Sequence, residues 1–228
     1  MQPDPPRLMR LAARAMARHG LVHAYGHVSI RTGPDRFLVS PAQPLGTVAA
    51  RAPGVEVPLD GPLPAGALPE VRIHREIYRN RPEVGGVCRV QSPAVMALSA
   101  LRETPRVMHG LGAYFAPKAP LWPGVSLVRD DEQAERVAAM LGQAAAIVLS
   151  GNGSVTAAAS LEEAACLAFF LEDAARIELA LLPARGAGPA AREYSADEAA
   201  ARAIKAGGLF ERMWHYLCSG DPEWEEEQ

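Results

Sequence analysis

The chain has 228 residues, of which 49% are apolar and 21% are charged, with a formal net charge of −3 at pH 7. This length is sufficient for one domain with a sizeable core. The mildly acidic balance, without a run rich in Lys or Arg, argues against nucleic acid as a partner. No apolar stretch reaches the roughly 18 residues of a membrane span, and no N-terminal apolar segment suggests a signal peptide. We therefore expect a cytoplasmic protein with no membrane partner.

Hydrophobic periodicity and turn-forming residues divide the chain into short alternating strands and helices. Gly20 ends the first helix and Ser160 begins the longest one, at the positions that helix caps favour. Such alternation is typical of an α/β or α+β layered domain. In chain order, the pattern predicts helices at 7–19, 70–80, from 92 onward, 130–141, 161–182 and 195–214, and strands at 28–31, 36–39, 55–59, 84–90, 106–109, 125–128, 146–149 and 154–158.

One main domain with C-terminal additions is the predicted organisation. Residues 1–182 contain every predicted strand and form this domain. Residues 183–219 contain a linker rich in Gly, Pro and Ala, followed by a helical segment that completes the domain or a subunit interface. Residues 220–228 form an acidic tail, which we expect to be disordered because it can bury little apolar surface.

Four segments of the chain, taken together in order and spacing, resemble the class II aldolase/adducin family and cover roughly residues 11–182. The resemblance implies a three-layer α/β/α domain with a central, mainly antiparallel sheet flanked by helices. It also implies a homo-oligomer, usually a tetramer. The segments are His-Gly-Leu-Val at 19–22 with Gly-His-Val-Ser-Ile-Arg at 26–31, Phe-Leu-Val-Ser-Pro at 37–41, the run from Glu70 through Ile73-His74 and Ile77-Tyr78 to Ser92-Pro93, and Gly-Asn-Gly at 151–153 with Ser-Leu-Glu-Glu-Ala at 160–164.

Members of this family include sugar-phosphate aldolases and epimerases, small-acid decarboxylases and the non-enzymatic adducin head. The Gly-His-Val-Ser form, together with His109 in Val-Met-His-Gly-Leu-Gly, is more similar to the decarboxylase-like members. The sugar-phosphate enzymes have small hydroxyl residues just before the position of Glu70, where this chain has Leu68-Pro69. Proline has no N–H and leucine no hydroxyl to offer a phosphate. A phosphorylated sugar is therefore not the expected substrate.

The metal ligands of the family are replaced in this chain. By resemblance, zinc or manganese would be held by a His-x-His on a strand and by a later His in a Gly-His-Gly turn. The matching positions hold Arg89, Gln91 and Asn152. Arginine offers only donors and keeps its proton, and an amide oxygen is a poor ligand for zinc. We therefore predict no metal site and no cofactor.

Two functions remain open on these residues. In the first, the chain is a metal-independent lyase that acts on a small, anionic, carboxylated compound by decarboxylation, retro-aldol cleavage or elimination. Glu70, which the resemblance makes an acid/base, transfers a proton, while Arg89 replaces the metal as the positive charge. In the alternative, the chain is a catalytically inactive, adducin-like scaffold in which Glu70 and Arg89 form a structural ion pair.

Five further residues are candidates for substrate binding. Gln91 and Asn152 would act as neutral donors beside Arg89. His27 and Ser29 lie in the Gly-His-Val-Ser motif, and His109 is placed near the pocket by the resemblance to decarboxylase-like members. His74 falls at helical spacing beside Ile73 and Ile77, which favours a packed histidine behind the site over a catalytic one.

Overall fold

A computed structural model describes residues 4–186, 188 and 190–225. Residues 187 and 189 of the predicted linker and residues 226–228 of the predicted tail lie outside this part of the chain. The strands are β1 (His27–Gly33), β2 (Arg36–Val39), β3 (Val55–Pro58), β4 (Gly86–Val90), β5 (Leu121–Trp122), β6 (Ala146–Leu149) and β7 (Gly153–Ala158). The helices are α1 (Pro5–Arg18), α2 (Arg72–Asn80), α3 (Pro93–Ala100), α4 (Asp131–Leu141), α5 (Leu161–Leu181), α6 (Ala196–Arg202), α7 (Leu209–Cys218) and α8 (Pro222–Glu225).

The strands form one seven-stranded sheet between two helical layers, in the order β3-β2-β1-β4-β7-β6-β5. Neighbouring strands are antiparallel, except that β5 runs parallel to β6. Helices α1, α3 and α5 pack on one face of the sheet, and α2 and α4 pack together on the other. The predicted three-layer α/β/α domain with a mainly antiparallel sheet is confirmed. Within the described residues, no helix is long and apolar enough to cross a membrane.

The central strand β4 separates the two cores by alternation of its side chains. Cys88 and Val90 belong to the core under α1, α3 and α5, whereas Val87 belongs to the core under α2 and α4. Because successive strand residues point to opposite faces, Arg89 lies on the same side as Val87. All five residues of the strand are buried, so Arg89 is a charged side chain in an otherwise apolar strand.

Two predicted strands are absent, and one short strand was not predicted. Residues 106–109 and 125–128 form no strand, whereas Leu121 and Trp122 form β5. The backbone N–H of Arg106 donates to the carboxylate of Glu178 at 3.1 Å, which removes it from any sheet ladder. Residues 125–128 lie beyond the edge strand, where Val125 is 80% exposed. Residues 125–128 have an apolar pattern but no neighbouring strand to pair with in the described part of the chain, so they form no strand.

Two helix ends also differ from prediction. The helix predicted at 195–214 is divided into α6 and α7, and Gly208, with φ of 67°, begins the second part. Ser92 precedes α3 as predicted, but its side chain makes no capping hydrogen bond. The buried carboxylate of Glu172 on α5 instead accepts from the N–H groups of Ala94 and Val95 at 3.1 Å. A distant acid therefore satisfies the start of this helix.

The acidic C-terminal segment packs against α1, so the prediction of a disordered tail is wrong for residues 220–225. Asp221 and Glu223 are buried. Arg14 donates to both carboxylates at 2.7 Å, Arg10 donates to Glu223 at 2.7 Å, and Arg18 contacts Asp221 at 3.3 Å. The three arginines are spaced four residues apart and therefore lie on one face of the helix. This basic face binds Asp221 and Glu223, which composition alone would predict to be exposed to solvent.

We expect replacement of Asp221 by Ala to lower the free energy of unfolding by roughly 3 kcal/mol, since it leaves buried arginine charge without its partner. Urea denaturation at pH 7 measures this change. Glu225→Ala removes an exposed carboxylate from the same segment, which accepts one hydrogen bond from the N–H of Gly220 at 3.0 Å, and should change stability by no more than about 1 kcal/mol. Equal effects of the two variants would contradict a stabilising role for the buried cluster.

The same cluster predicts acid sensitivity. Burial alone would raise the pKa of Asp221, but the hydrogen bond and the charge of Arg14 outweigh it and hold that pKa below its usual value. A carboxyl with a lowered folded-state pKa contributes stability above its unfolded pKa of about 3.9, and this is lost as the pH falls through the folded value. The stability difference between wild type and Asp221→Asn should therefore shrink below about pH 4.

Candidate active site

A cavity of about 550 Å³ opens where β1 begins and β4 ends. Segments 24–27, 42–44 and 68–70, the end of β4, and residues 127 and 129 line it. Its charged or polar side chains include those of His27, Glu70, Arg89, Gln91 and Arg129. Four of these were predicted from the sequence as site residues, and the fold brings these four to one cavity.

The register between β1 and β4 places His27 beside Arg89. These two residues are directly opposite each other in the antiparallel pair. Arg89 and Gln91, two positions apart, both line the cavity, as expected for residues i and i+2 at the end of a strand. The strand pairing therefore explains how residues distant in sequence form one polar wall.

Asn152 joins Arg89 and Gln91 because the turn before β7 approaches β4 very closely. A Cβ atom at position 153 would lie 1.9 Å from the carbonyl oxygen of Val90, so only glycine fits there. The side-chain oxygen of Asn152 accepts from Nη2 of Arg89 and from Nε2 of Gln91, each at 2.7 Å. The three residues that replace the expected histidines therefore bind one another.

Arg89 is a buried cation that has no carboxylate partner among the described residues. It is 4% exposed, and its Nε is buried with no hydrogen-bond partner in that part of the chain. Burial lowers the pKa of Arg89 to about 10, partly offset by the negative charge of Glu70, so the side chain stays protonated at neutral pH. A desolvated guanidinium at a cavity wall is suited to bind an anion.

Glu70 pairs with Arg129 and not with Arg89. Nε of Arg129 donates to the Glu70 carboxylate at 2.9 Å, and the side chains are 59% and 14% exposed. This pair lies at the edge of the cavity, and Arg129 directly follows residues 125–128, which sequence patterns assigned to a strand. Arg129 was therefore missed, because an arginine in an exposed loop carries no sequence signal for a site.

The remaining wall of the cavity is largely apolar. Leu68 and Pro69 line it on one side, Pro44 on another and Leu127 at the rim, where 42% of that residue is exposed. Leu68 and Pro69 occupy the positions at which the sequence lacked the hydroxyl groups of a phosphate pocket. The surface is suited to a flat, apolar group rather than to a phosphate.

A buried chain of hydrogen bonds runs inward from His27. Nδ1 of His27 lies 2.7 Å from Nε2 of His74, and Nδ1 of His74 lies 2.6 Å from Oγ of Ser29. Oγ of Ser29 lies 2.9 Å from the phenol oxygen of Tyr78. Burial, followed by the charges of His74 and Arg89, holds the pKa of His27 well below its usual value. His74 thus lies behind the site, as its helical spacing predicted.

Three of the predicted substrate-binding residues do not line the cavity. Ser29 is fully buried behind His27, so its prediction as a substrate contact is wrong. Asn152 uses its side-chain oxygen to hold Arg89 and Gln91. His109 lies away from the cavity, near Gly112 and within electrostatic reach of Asp173. The chain after β4 passes across α5 before it returns to the sheet, which places His109 away from the cavity.

The residues at the expected metal positions do not fit a metal ion. Arg89 offers only donors, and both hydrogen bonds to Asn152 are made to the oxygen that would have to coordinate. Nowhere in the described ranges does a group of three or more His, Cys, Asp or Glu side chains have the placement of a metal site. The side chains of Arg89, Gln91 and Asn152 therefore do not form a metal site.

Comparison with known proteins places the chain in a family. The profile of the Class II Aldolase and Adducin N-terminal domain matches residues 7–179. Because this match spans most of the chain, the chain belongs to the class II aldolase and adducin family, and the resemblance drawn from its motifs is confirmed.

Relatives with curated names include 3,4-dihydroxyphthalate decarboxylases of two bacteria. The protein from a Terrabacter species is 33% identical over 204 residues, covering 79% of this chain and 82% of that protein. The protein from Arthrobacter keyseri is 31% identical over 198 residues, covering 78% of each chain. The similarity to decarboxylase-like members is thereby confirmed.

Solved structures support the same fold. The L-fuculose-1-phosphate aldolase of Thermus thermophilus superposes with a TM-score of 0.72 at 28% identity, covering 81% of this chain and 97% of that one. An aldolase II superfamily protein from Pseudomonas syringae superposes with a TM-score of 0.76 at 24% identity, covering 95% of this chain and 93% of that one.

Replacement of Arg89, Gln91 and Asn152 together by His should create a zinc site, because three imidazoles would then meet where the amide and guanidinium groups meet now. We expect the triple variant to retain one zinc ion per chain after dialysis, measured by mass spectrometry of the metal. The Gln91→His variant alone is the control and should retain none. Retention of one zinc ion per chain by the wild-type protein would contradict the conclusion that Arg89, Gln91 and Asn152 do not fit a metal ion.

Proposed function

We propose that this chain is a lyase that removes CO2 from a small aromatic carboxylate without a metal ion. The observation that carries the proposal is Arg89, a buried guanidinium that faces an open cavity beside Glu70 and lacks a carboxylate partner among the described residues. The decarboxylase names of two relatives favour decarboxylation over the retro-aldol and elimination reactions that the sequence left open.

The cavity supports an aromatic substrate with more than one anionic group. Arg89 in the wall and Arg129 at the rim supply two cationic groups that both line the cavity with Glu70. The apolar surface formed by Leu68, Pro69 and neighbouring residues can cover the face of a ring. 3,4-Dihydroxyphthalate, the compound in the names of the relatives, has two carboxylates on one ring and is our first candidate substrate.

The proposed reaction exchanges a carboxylate for a proton. Glu70 takes a proton from a substrate hydroxyl and delivers it to the ring carbon that carries the carboxylate. The bond between that carbon and the carboxylate then breaks, CO2 leaves, and the electron pair passes through the ring to the oxygen that gave up its proton. Arg89 stabilises that developing negative charge. The resulting phenolate takes one proton from solvent, so that the net reaction consumes one proton and releases one CO2.

Metal independence is part of this proposal, and the donor set at the expected metal positions supports it. A guanidinium can provide the fixed positive charge that the family otherwise draws from a metal. A tight Glu70–Arg89 pair in a closed cavity would favour the alternative of an inactive scaffold. Glu70 instead pairs with Arg129, and the cavity is open. A cytoplasmic homo-oligomer stays a prediction.

Replacement of Glu70 by Gln should reduce turnover of 3,4-dihydroxyphthalate by about 100- to 10,000-fold, because the amide cannot transfer a proton. Release of CO2 and appearance of dihydroxybenzoate measure the reaction, and calorimetry should show that the ligand still binds. Glu132→Gln, on the exposed face of α4, is the matched control and should keep the wild-type rate.

Treatment with EDTA should leave the wild-type rate unchanged. Loss of activity on chelation, with recovery on addition of zinc or manganese, would contradict the metal-independent mechanism. Equal rates for wild type and Glu70→Gln would contradict the role of Glu70.

A further inference from the structure

The hydrogen-bond chain behind His27 has a direction that the partners of each group determine. The phenol of Tyr78 is buried, and Ser29 is its one hydrogen-bond partner among the described residues. A buried O–H without an acceptor would cost about 1–3 kcal/mol, so the phenol donates to Oγ of Ser29. The inner end of the chain is thereby fixed.

The direction continues outward from Ser29 to the cavity. Since Oγ of Ser29 accepts from Tyr78, its own proton is available for its other partner, Nδ1 of His74 at 2.6 Å. An imidazole that accepts at Nδ1 carries its proton at Nε2 when it is neutral. Nε2 of His74 therefore donates to Nδ1 of His27 at 2.7 Å. His27 in turn carries its own proton on Nε2.

Both imidazoles lie in surroundings that oppose a second proton. Burial, followed by the charge of Arg89, lowers the pKa of His74 to about 3, and the pKa of His27 is also held well below its usual value. The charged or titratable groups that face His27 are His74 on α2 and Arg89 on β4, with Glu70 elsewhere in the same cavity. Two of these three groups disfavour an imidazolium, and Glu70 is already paired with Arg129.

Nε2 of His27 is the end of the chain that reaches the cavity. His27 lines the cavity, and no partner for its Nε2 exists in the described part of the chain. This unpartnered atom is not fully buried, so it is accessible from the cavity.

We propose that His27 presents an uncharged Nε2–H donor to the bound substrate, and that Tyr78, Ser29 and His74 act as positioning residues that fix this tautomer. The donor lies beside Arg89, so a carboxylate or developing oxyanion held by the guanidinium can also accept from His27. A neutral donor stabilises charge without adding a second buried cation, and it cannot take a proton from the substrate. Proton transfer is left to Glu70, and this division of roles rests on the proposed function.

The tautomer itself can be measured on the ligand-free protein, independently of any reaction. With histidine labelled by ¹⁵N, we expect Nε2 of His27 to give a protonated, pyrrole-type signal and Nδ1 a pyridine-type signal, unchanged between about pH 5 and 8. The His27→Gln spectrum assigns the resonances. A proton on Nδ1, or titration of the ring within that range, would overturn the proposal even if the proposed reaction is confirmed.

Tyr78→Phe tests the direction of the chain, because it removes the donor that sets the tautomer and keeps the ring that packs in the core. We expect a fraction of His27 in this variant to carry its proton on Nδ1. Ser29→Ala should do the same and replaces the first variant if that one does not fold. Tyr216→Phe removes an exposed hydroxyl from α7 and should leave the tautomer unchanged. Unaltered tautomers in both relay variants would refute the positioning role.

The kinetics of 3,4-dihydroxyphthalate turnover show whether His27 acts as a hydrogen-bond donor or only as a packing residue. Gln at position 27 can place an N–H where Nε2 lies, whereas Asn can only imitate Nδ1. We expect kcat to fall by about 100-fold in His27→Asn, the usual scale for loss of one such donor, and to be largely restored in His27→Gln. Equal loss in both folded variants would contradict a donor role. If wild type shows no turnover, the proposed function fails and the tautomer measurement still decides this inference.

Discussion

The arrangement of the site depends on one costly feature, a buried arginine that is held by a neutral oxygen. A guanidinium removed from water loses several kcal/mol of hydration, and the carbonyl of Asn152 returns only part of it. A structural role would be better served by a carboxylate partner or an apolar residue. Among the described residues, Arg89 has only the neutral side chain of Asn152 as a partner, and its Nε has none. An anionic ligand would therefore offset the hydration that the guanidinium loses. A buried cation without a counter-charge therefore favours anionic ligands over neutral ones.

The sheet holds this cation in place. Arg89 lies between His27 on β1 and Val155 on β7 in the strand register. A slip of one residue would turn its side chain to the opposite core. The absence of a side chain at Gly153 lets the preceding turn approach β4, which brings Asn152 within hydrogen-bond distance. The framework that the resemblance predicts for metal ligands thus positions a hydrogen-bonded set of Arg89, Gln91 and Asn152 here.

Much of the fold could be predicted from the sequence, because its strands and helices have clear periodicity and its motifs occur in a recognisable order. The errors share a physical cause. Two predicted strands lacked a neighbouring strand, and the acidic tail acquired order only through arginines more than 200 positions away in sequence. Local pattern contains no information about such partners.

The site could be predicted in the same uneven way. Glu70, Arg89, Gln91 and His27 occupy motif positions, so their meeting in one cavity was foreseeable. Arg129 could not be found, since an exposed loop arginine has no pattern. The burial of Ser29 behind His27 depends on how α2 packs on β1, which the motif alone does not specify. The motifs thus identified the site residues near the ends of the strands. They could not predict contacts between the sheet and the helices, which only the structure shows.

Binding of benzene-1,2-dicarboxylate to protein stripped with EDTA tests most directly whether Arg89 performs the task of the metal. Calorimetry should detect binding to the wild type without added metal. Arg89→Met should weaken this binding by about 10- to 100-fold, the scale of a charge-assisted hydrogen bond, and Arg89→Lys by less. Equal affinity in Arg89→Met, or wild-type binding only after zinc or manganese is added, would contradict the account.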